Sequence, residues 1–182
     1  VWSCASSHLL RVHYQLPASP DSLAGARASL SLEDMRRNKA FLTQSARKSL
    51  NDFSGYFTIR ISEDGSGEKL LGAFELTSAV KEVFKQRLLH AGITVVDPQD
   101  GIADIRIVLK EFMLDLQGRD WIFNMSYQAN LKSRGTLTES ETITGNAQRL
   151  KTIGSGGAEK VVSELVTDMA NKLDIAELYQ RA

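Results

Sequence analysis

The chain is poor in the residues that build most active sites. It has one cysteine, Cys4. That excludes an internal disulfide, a CxxC redox pair and a cysteine-based zinc site. It has three histidines, His8, His13 and His90, in no H-E-x-x-H or comparable metal-ligand spacing. It lacks a G-x-x-x-x-G-K-[ST] run, a G-x-G-x-x-G after a strand and a G-x-S-x-G elbow. No catalytic residue, metal or cofactor is therefore expected. Charge of one sign is also missing: 22 Lys and Arg balance 22 Asp and Glu. A nucleic-acid binder carries a basic excess, so nucleic acid is not an expected partner. No apolar run approaches the ~20 residues of a membrane span.

Apolar residues make up 42% of the 182 positions, enough for a real core. Residues 1–27 read as an N-terminal tether, stopped and loosened by Pro17, Pro20 and Gly25. The alternation of Leu10, Val12, Tyr14 and Leu16 leaves a short edge strand as the second reading. Residues 28–182 read as a single domain.

Period-two alternation predicts strands over 28–35 and 56–61, and a short helix over 43–51 lies between them. Val80, Val83, Phe84, Leu88 and Ala91 form one apolar stripe of a helix, with Thr77 as its expected cap and Gly92 just past its end. Ile105, Ile107 and Leu109 alternate, and Phe112, Leu114 and Leu116 continue one residue out of phase. A β-bulge near Lys110-Glu111 would absorb that shift. Two more strands follow after short turns, the third with Leu137 and Ile143 inward or partly so, completing an antiparallel meander. A last helix carries Ala158, Val161, Val162, Leu165, Met169 and Leu173. The expected fold is α+β: an antiparallel sheet, the meander plus further strands, with the two main amphipathic helices on one face.

Trp121, Phe123, Met125 and Tyr127 form an apolar stripe, either core or a groove for an acyl chain or a partner. Glu139 and Glu141 lie two apart on one strand face; their Thr-rich surroundings suggest a solvated strand rather than an acid–base pair. Gly154-Ser155-Gly156-Gly157 precedes the last helix as a plain loop rather than an anion cradle.

Val1-Trp2-Ser3-Cys4 resembles the end of a bacterial lipobox, where a small residue precedes a cysteine that becomes lipid-modified; Trp2 departs from that pattern. The stretches Phe74-Glu75-Leu76-Thr77-Ser78-Ala79-Val80, Ala103-Asp104-Ile105-Arg106-Ile107 and Val166-Thr167-Asp168-Met169-Ala170 resemble those of YajG-type bacterial lipoproteins and, more widely, of small α+β lipoproteins auxiliary to ABC transport. The resemblance covers a little over half of the chain and carries over only Cys4. It implies a membrane-tethered, periplasm-facing domain without catalysis, with a mature chain starting at Cys4. Ala5, which is not the aspartate of inner-membrane retention, points to the outer membrane. The expected partners are the membrane, through the anchor, and an envelope protein. The alternative is a lipid-binding auxiliary component of an ABC-type transporter.

Overall fold

The computed structural model describes residues 8–19, 23–64, 66–98, 103–133 and 135–180. In chain order the elements are β1 (His8–Gln15), β2 (Arg27–Asp34), α1 (Gln44–Ser49), β3 (Phe53–Ser62), β4 (Lys69–Glu75), α2 (Leu76–His90), β5 (Thr94–Val96), β6 (Ala103–Gln117), β7 (Asp120–Ser133), β8 (Thr136–Leu150), α3 (Gly156–Lys172) and α4 (Ile175–Gln180).

The class is α+β, with the strands divided between two mixed sheets. One has the order β1-β3-β4 and the other β5-β2-β6-β7-β8. The meander is present as β6-β7-β8, antiparallel throughout. β2 joins it in parallel with β6, and β1 runs parallel to β3. Both long helices pack on one face of the five-stranded sheet. Phe84 of α2 stacks edge-on against Tyr127 of β7, with centroids 4.9 Å apart, and the Tyr127 hydroxyl donates to the Met169 carbonyl of α3 at 2.7 Å. The three-stranded sheet closes over the same side. Phe53 and Phe57 of β3 meet Phe41, and Phe57 meets Phe112 of β6.

The out-of-phase run in β6 has the expected cause. The pairing with β7 shifts between Leu109 and Glu111, leaving Lys110 as the extra residue. Phe112 and Leu114 therefore point into the core with Ile105, Ile107 and Leu109. Gly92 takes a φ of 88° just past α2, a conformation L residues resist.

Several expectations are corrected. Residues 8–16 are not tether: Leu10, Val12, Tyr14 and Leu16 are all buried, so period two wins over the nearby prolines. α2 begins at Leu76, directly after β4, with Glu75 at its cap and no side-chain cap bond, so Thr77 is not the cap. Leu137 is 54% exposed, because the pairing of β8 shifts between Leu131 and Lys132 of β7 and places it opposite Lys132. β4, an edge strand of low burial, has no counterpart in the sequence reading.

The exposed side of β1 is finished by a helix. The backbone N–H of Arg11 donates to Glu159, that of His13 to the Ser163 hydroxyl, and that of Gln15 to the Thr167 hydroxyl. Asn171 donates from its amide to the Gln15 carbonyl at 2.9 Å. Glu159, Ser163, Thr167 and Asn171 recur every fourth residue, so they form one row on α3. That row satisfies the strand edge as a neighbouring strand would. Thr167→Val keeps the shape and removes the acceptor. It is expected to cost about 1–3 kcal/mol and to speed amide exchange at Gln15, measured by hydrogen exchange with NMR.

Candidate functional site

Cys4 lies outside the described residues. Trp121, Phe123, Met125 and Tyr127 are only 0–1% exposed. They are core, and the groove reading is overturned. Sheet and helices alone would leave an opening between α2 and α3, but β1 and β3 fill it. A cavity of about 10 Å³ remains, lined by Val12, Phe57, Val80, Phe84, Phe112 and Met125 among others. That is the room of about one water and admits no acyl chain. Burial pushes the Tyr127 phenol well above its ordinary range, with the Glu141 charge adding to it, so the hydroxyl stays protonated. Glu139 and Glu141 sit opposite buried Leu131 and Ala129, half-buried on the helix-facing side rather than on a solvated face. His90 closes the last turn of α2, as its spacing implies.

One arrangement superficially suits nucleophilic catalysis. His13 Nε2 lies 2.7 Å from the Ser62 hydroxyl, and His13 Nδ1 lies 3.7 Å from Glu68. The hydrogen bonds assign different roles. Gln15 donates its amide to Asp64, which turns its oxygen toward Ser62. Ser62 donates to that oxygen at 2.5 Å. His13 must then donate from Nε2 to Ser62 and cannot take its proton. A general base needs the opposite polarity. The group fastens β1 to the end of β3. Among the described residues no three His, Cys, Asp or Glu side chains are placed to hold a metal ion.

The outer face of the five-stranded sheet is different. Neither long helix covers it. Asn124, Ser126, Gln128 and Asn130 of β7 lie opposite Asn146, Thr144, Thr142 and Ser140 of β8. Ser126 and Thr144 share a hydrogen bond, and Gln128 donates to Asn130 and Ser140. These amides and hydroxyls form a polar surface with little charge.

At the β6 bulge this face opens into a cleft of about 640 Å³. Met35, Arg37 and Asn38 line one side, and Lys110, Glu111 and Met113 the other. Met35 is exposed, and Asn38 touches the Met113 sulfur at 3.9 Å. Beneath it, Arg36 is almost wholly buried. Its guanidinium donates to the Asp34 carboxylate from two nitrogens at 3.0 Å, and to the Phe112 carbonyl just past the bulge at 3.3 Å. The Arg36 hydrogen bond, with Lys39 beside it, holds the Asp34 carboxyl down at about 2. The cleft joins residues far apart in sequence, so only the bulge itself was signalled by the pattern. Met35 and Met113 edge this cleft beside the polar strand surface.

No family model matches the chain, and no curated protein matches it. Solved structures do. The chain is similar to a Xanthomonas campestris protein described as of family DUF330, with TM-score 0.59 and 12% identity over 94% of each chain. It is also similar to an uncharacterized protein, with TM-score 0.50 and 11% identity over 96% of this chain and 100% of that one. Rare lipoprotein B from Shewanella oneidensis aligns at TM-score 0.43 and 11% identity, over 85% of this chain and 95% of that one. The first two likenesses, by their TM-scores, show a shared fold and no more. None of the three carries the YajG name. No helix among the described residues is long and apolar enough to cross a membrane.

Proposed function

We propose that the chain is the folded part of a non-enzymatic cell-envelope lipoprotein that binds a protein partner on the periplasmic side. The observation that carries the reading is the uncovered outer face of the five-stranded sheet. It combines the uncharged amides and hydroxyls of β7 and β8 with a cleft edged by Met35 and Met113. Methionine side chains adapt to varied apolar partners, and amides and hydroxyls supply hydrogen bonds. The Ser3-Cys4 run supports the tether, with diacylglyceryl carried on the Cys4 sulfur. Ala5 favours the outer membrane. A role in envelope assembly or transport suits such a domain. The lipid-carrier alternative has no support from a central space of about 10 Å³. The donor roles around Ser62 give none to a hydrolase.

Two measurements test the reading. Cys4→Ser should abolish acyl mass and release the protein from the membrane fraction; unchanged fractionation would end the tether. A photo-crosslinking residue at Met35 or Met113, in envelopes, should give a product of one mass that Leu89 on α2 does not give. That product should disappear when the other methionine is changed to glutamate. Equal products from all three positions, or none, would remove the sheet face as the docking site.

A further inference from the structure

One end of the molecule gathers features that the sheet face does not use. β1 and α3 run side by side in the same direction. Glu159, in the first turn of α3, accepts the Arg11 N–H at 3.1 Å and lies 3.5 Å from His8; Asn171, in the last turn, meets Gln15. The start of β1 and the start of α3 therefore share one end. The segment entering α3 is Leu150-Lys151-Thr152-Ile153-Gly154-Ser155. Ile153 is fully exposed and Leu150 is 68% exposed, the two most exposed large apolar side chains among the described residues. Lys151 donates its N–H to the Arg119 carbonyl at 2.7 Å, so the β6–β7 turn lies alongside. Arg119, Lys151 and Lys160 are exposed, no acidic residue stands within 150–158, and the nearest carboxylate on the turn, Asp120, is half-buried opposite Leu150. Asp52, whose carbonyl accepts the His8 N–H, lies on the β3 side of β1, away from α3.

Cys4 precedes His8 by four residues, which reach at most about 14 Å when extended. An acylated Cys4 would thus hold this end of the domain against the bilayer. We propose that the Leu150–Gly154 loop is a second membrane contact. Ile153 and Leu150 enter the interfacial layer, and Arg119 and Lys151 meet anionic headgroups beside the anchor. The inference rests on the lipoprotein reading. It adds that the domain is held in one orientation rather than turning freely on its acyl chains. The protein-binding face, on another side of the sheet, then keeps a constant direction to the membrane.

The test uses the lipoprotein processed in cells and reconstituted into phosphatidylethanolamine–phosphatidylglycerol vesicles with brominated acyl chains. Two variants are compared with the parent: Ile153→Trp, and Leu137→Trp at the other end of β8. Both sites are exposed, so folding is not at stake. Mass spectrometry of the same sample reads acylation of Cys4. The indole introduced at 153 should shift to the blue and lose most of its emission to bromine, while the one at 137 keeps its emission. Acylated protein with unquenched emission at 153 overturns the contact and leaves the lipoprotein reading intact. Equal quenching at both sites overturns the orientation. A blue shift at 153 without quenching places a second copy on the loop instead, and overturns the proposal. Absence of acyl mass removes the lipoprotein reading and this inference with it.

Discussion

Truncating Phe112 to alanine is expected to cost about 4 kcal/mol of folding free energy. Its ring meets Phe41, Phe57 and Phe123, the last at 4.8 Å in an edge-on contact. These partners come from the loop before α1, from the three-stranded sheet and from the five-stranded sheet, so one ring ties three parts of the fold together. The residue also borders the cavity already present in the core. Truncation would enlarge that space rather than open a new one, and β-sheet walls collapse poorly into a void. Phe112→Leu should cost about a third as much, because most of the apolar area stays buried. Urea denaturation of the three proteins checks the order. Equal midpoints would mean that the cluster adds nothing across the sheets.

Asp34→Ala should cost about 3 kcal/mol. The alanine leaves the Arg36 guanidinium buried, with the Phe112 carbonyl as its remaining hydrogen-bond acceptor, and an uncompensated buried charge is the expensive product of breaking such a pair. Replacing both partners, as Asp34→Ala with Arg36→Met, should recover part of the loss. The pH dependence has a definite sign. The Asp34 carboxyl is held at about 2 in the folded protein, below its unfolded value near 4. Its contribution is therefore full above about pH 4 and is lost as the pH falls toward about 2. The gap in stability between parent and Asp34→Ala should narrow over that window. A gap independent of pH would show that the carboxylate charge is not what matters.

Much of this was legible locally. A phase shift from Leu109 to Phe112 marked the bulge, since one extra residue is the only way for Ile107 and Leu114 to share a face. The stripe from Val80 to Ala91, closed by Gly92, marked α2. Pairings between distant segments left no such trace. β1 finds β3, and β2 finds β6, across long intervening stretches, so the division into two sheets could not be read from periodicity. β4 escaped for a local reason: Leu70 and Leu71 are adjacent, the pairing with β3 shifts at Ile59 and Arg60, and Gly72 interrupts the alternation. The covering of β1 did leave a sign in the fourfold spacing of Glu159, Ser163, Thr167 and Asn171. Short polar side chains in such a row beside an apolar stripe look like ordinary helix surface until a strand edge is set against them. The cleft at the bulge needed the fold itself, because nothing near Met35 announces Met113.

The seating of β1 also bears on how the domain would withstand pulling. A strand tugged from its first residue along its own axis must slide past both neighbours at once. On one side it is bonded to β3 from His8 to Gln15, and on the other its amides and the Gln15 carbonyl are held by side chains of α3. Such bonds share the strain and give way together, whereas a strand peeled sideways loses them one by one. If the chain is anchored just ahead of His8, tension between membrane and partner runs along the direction in which β1 is hardest to extract. The polar row on α3 would then serve mechanics as much as the satisfaction of the strand edge. Removing one of its members should lower the force needed to unravel the domain from that end.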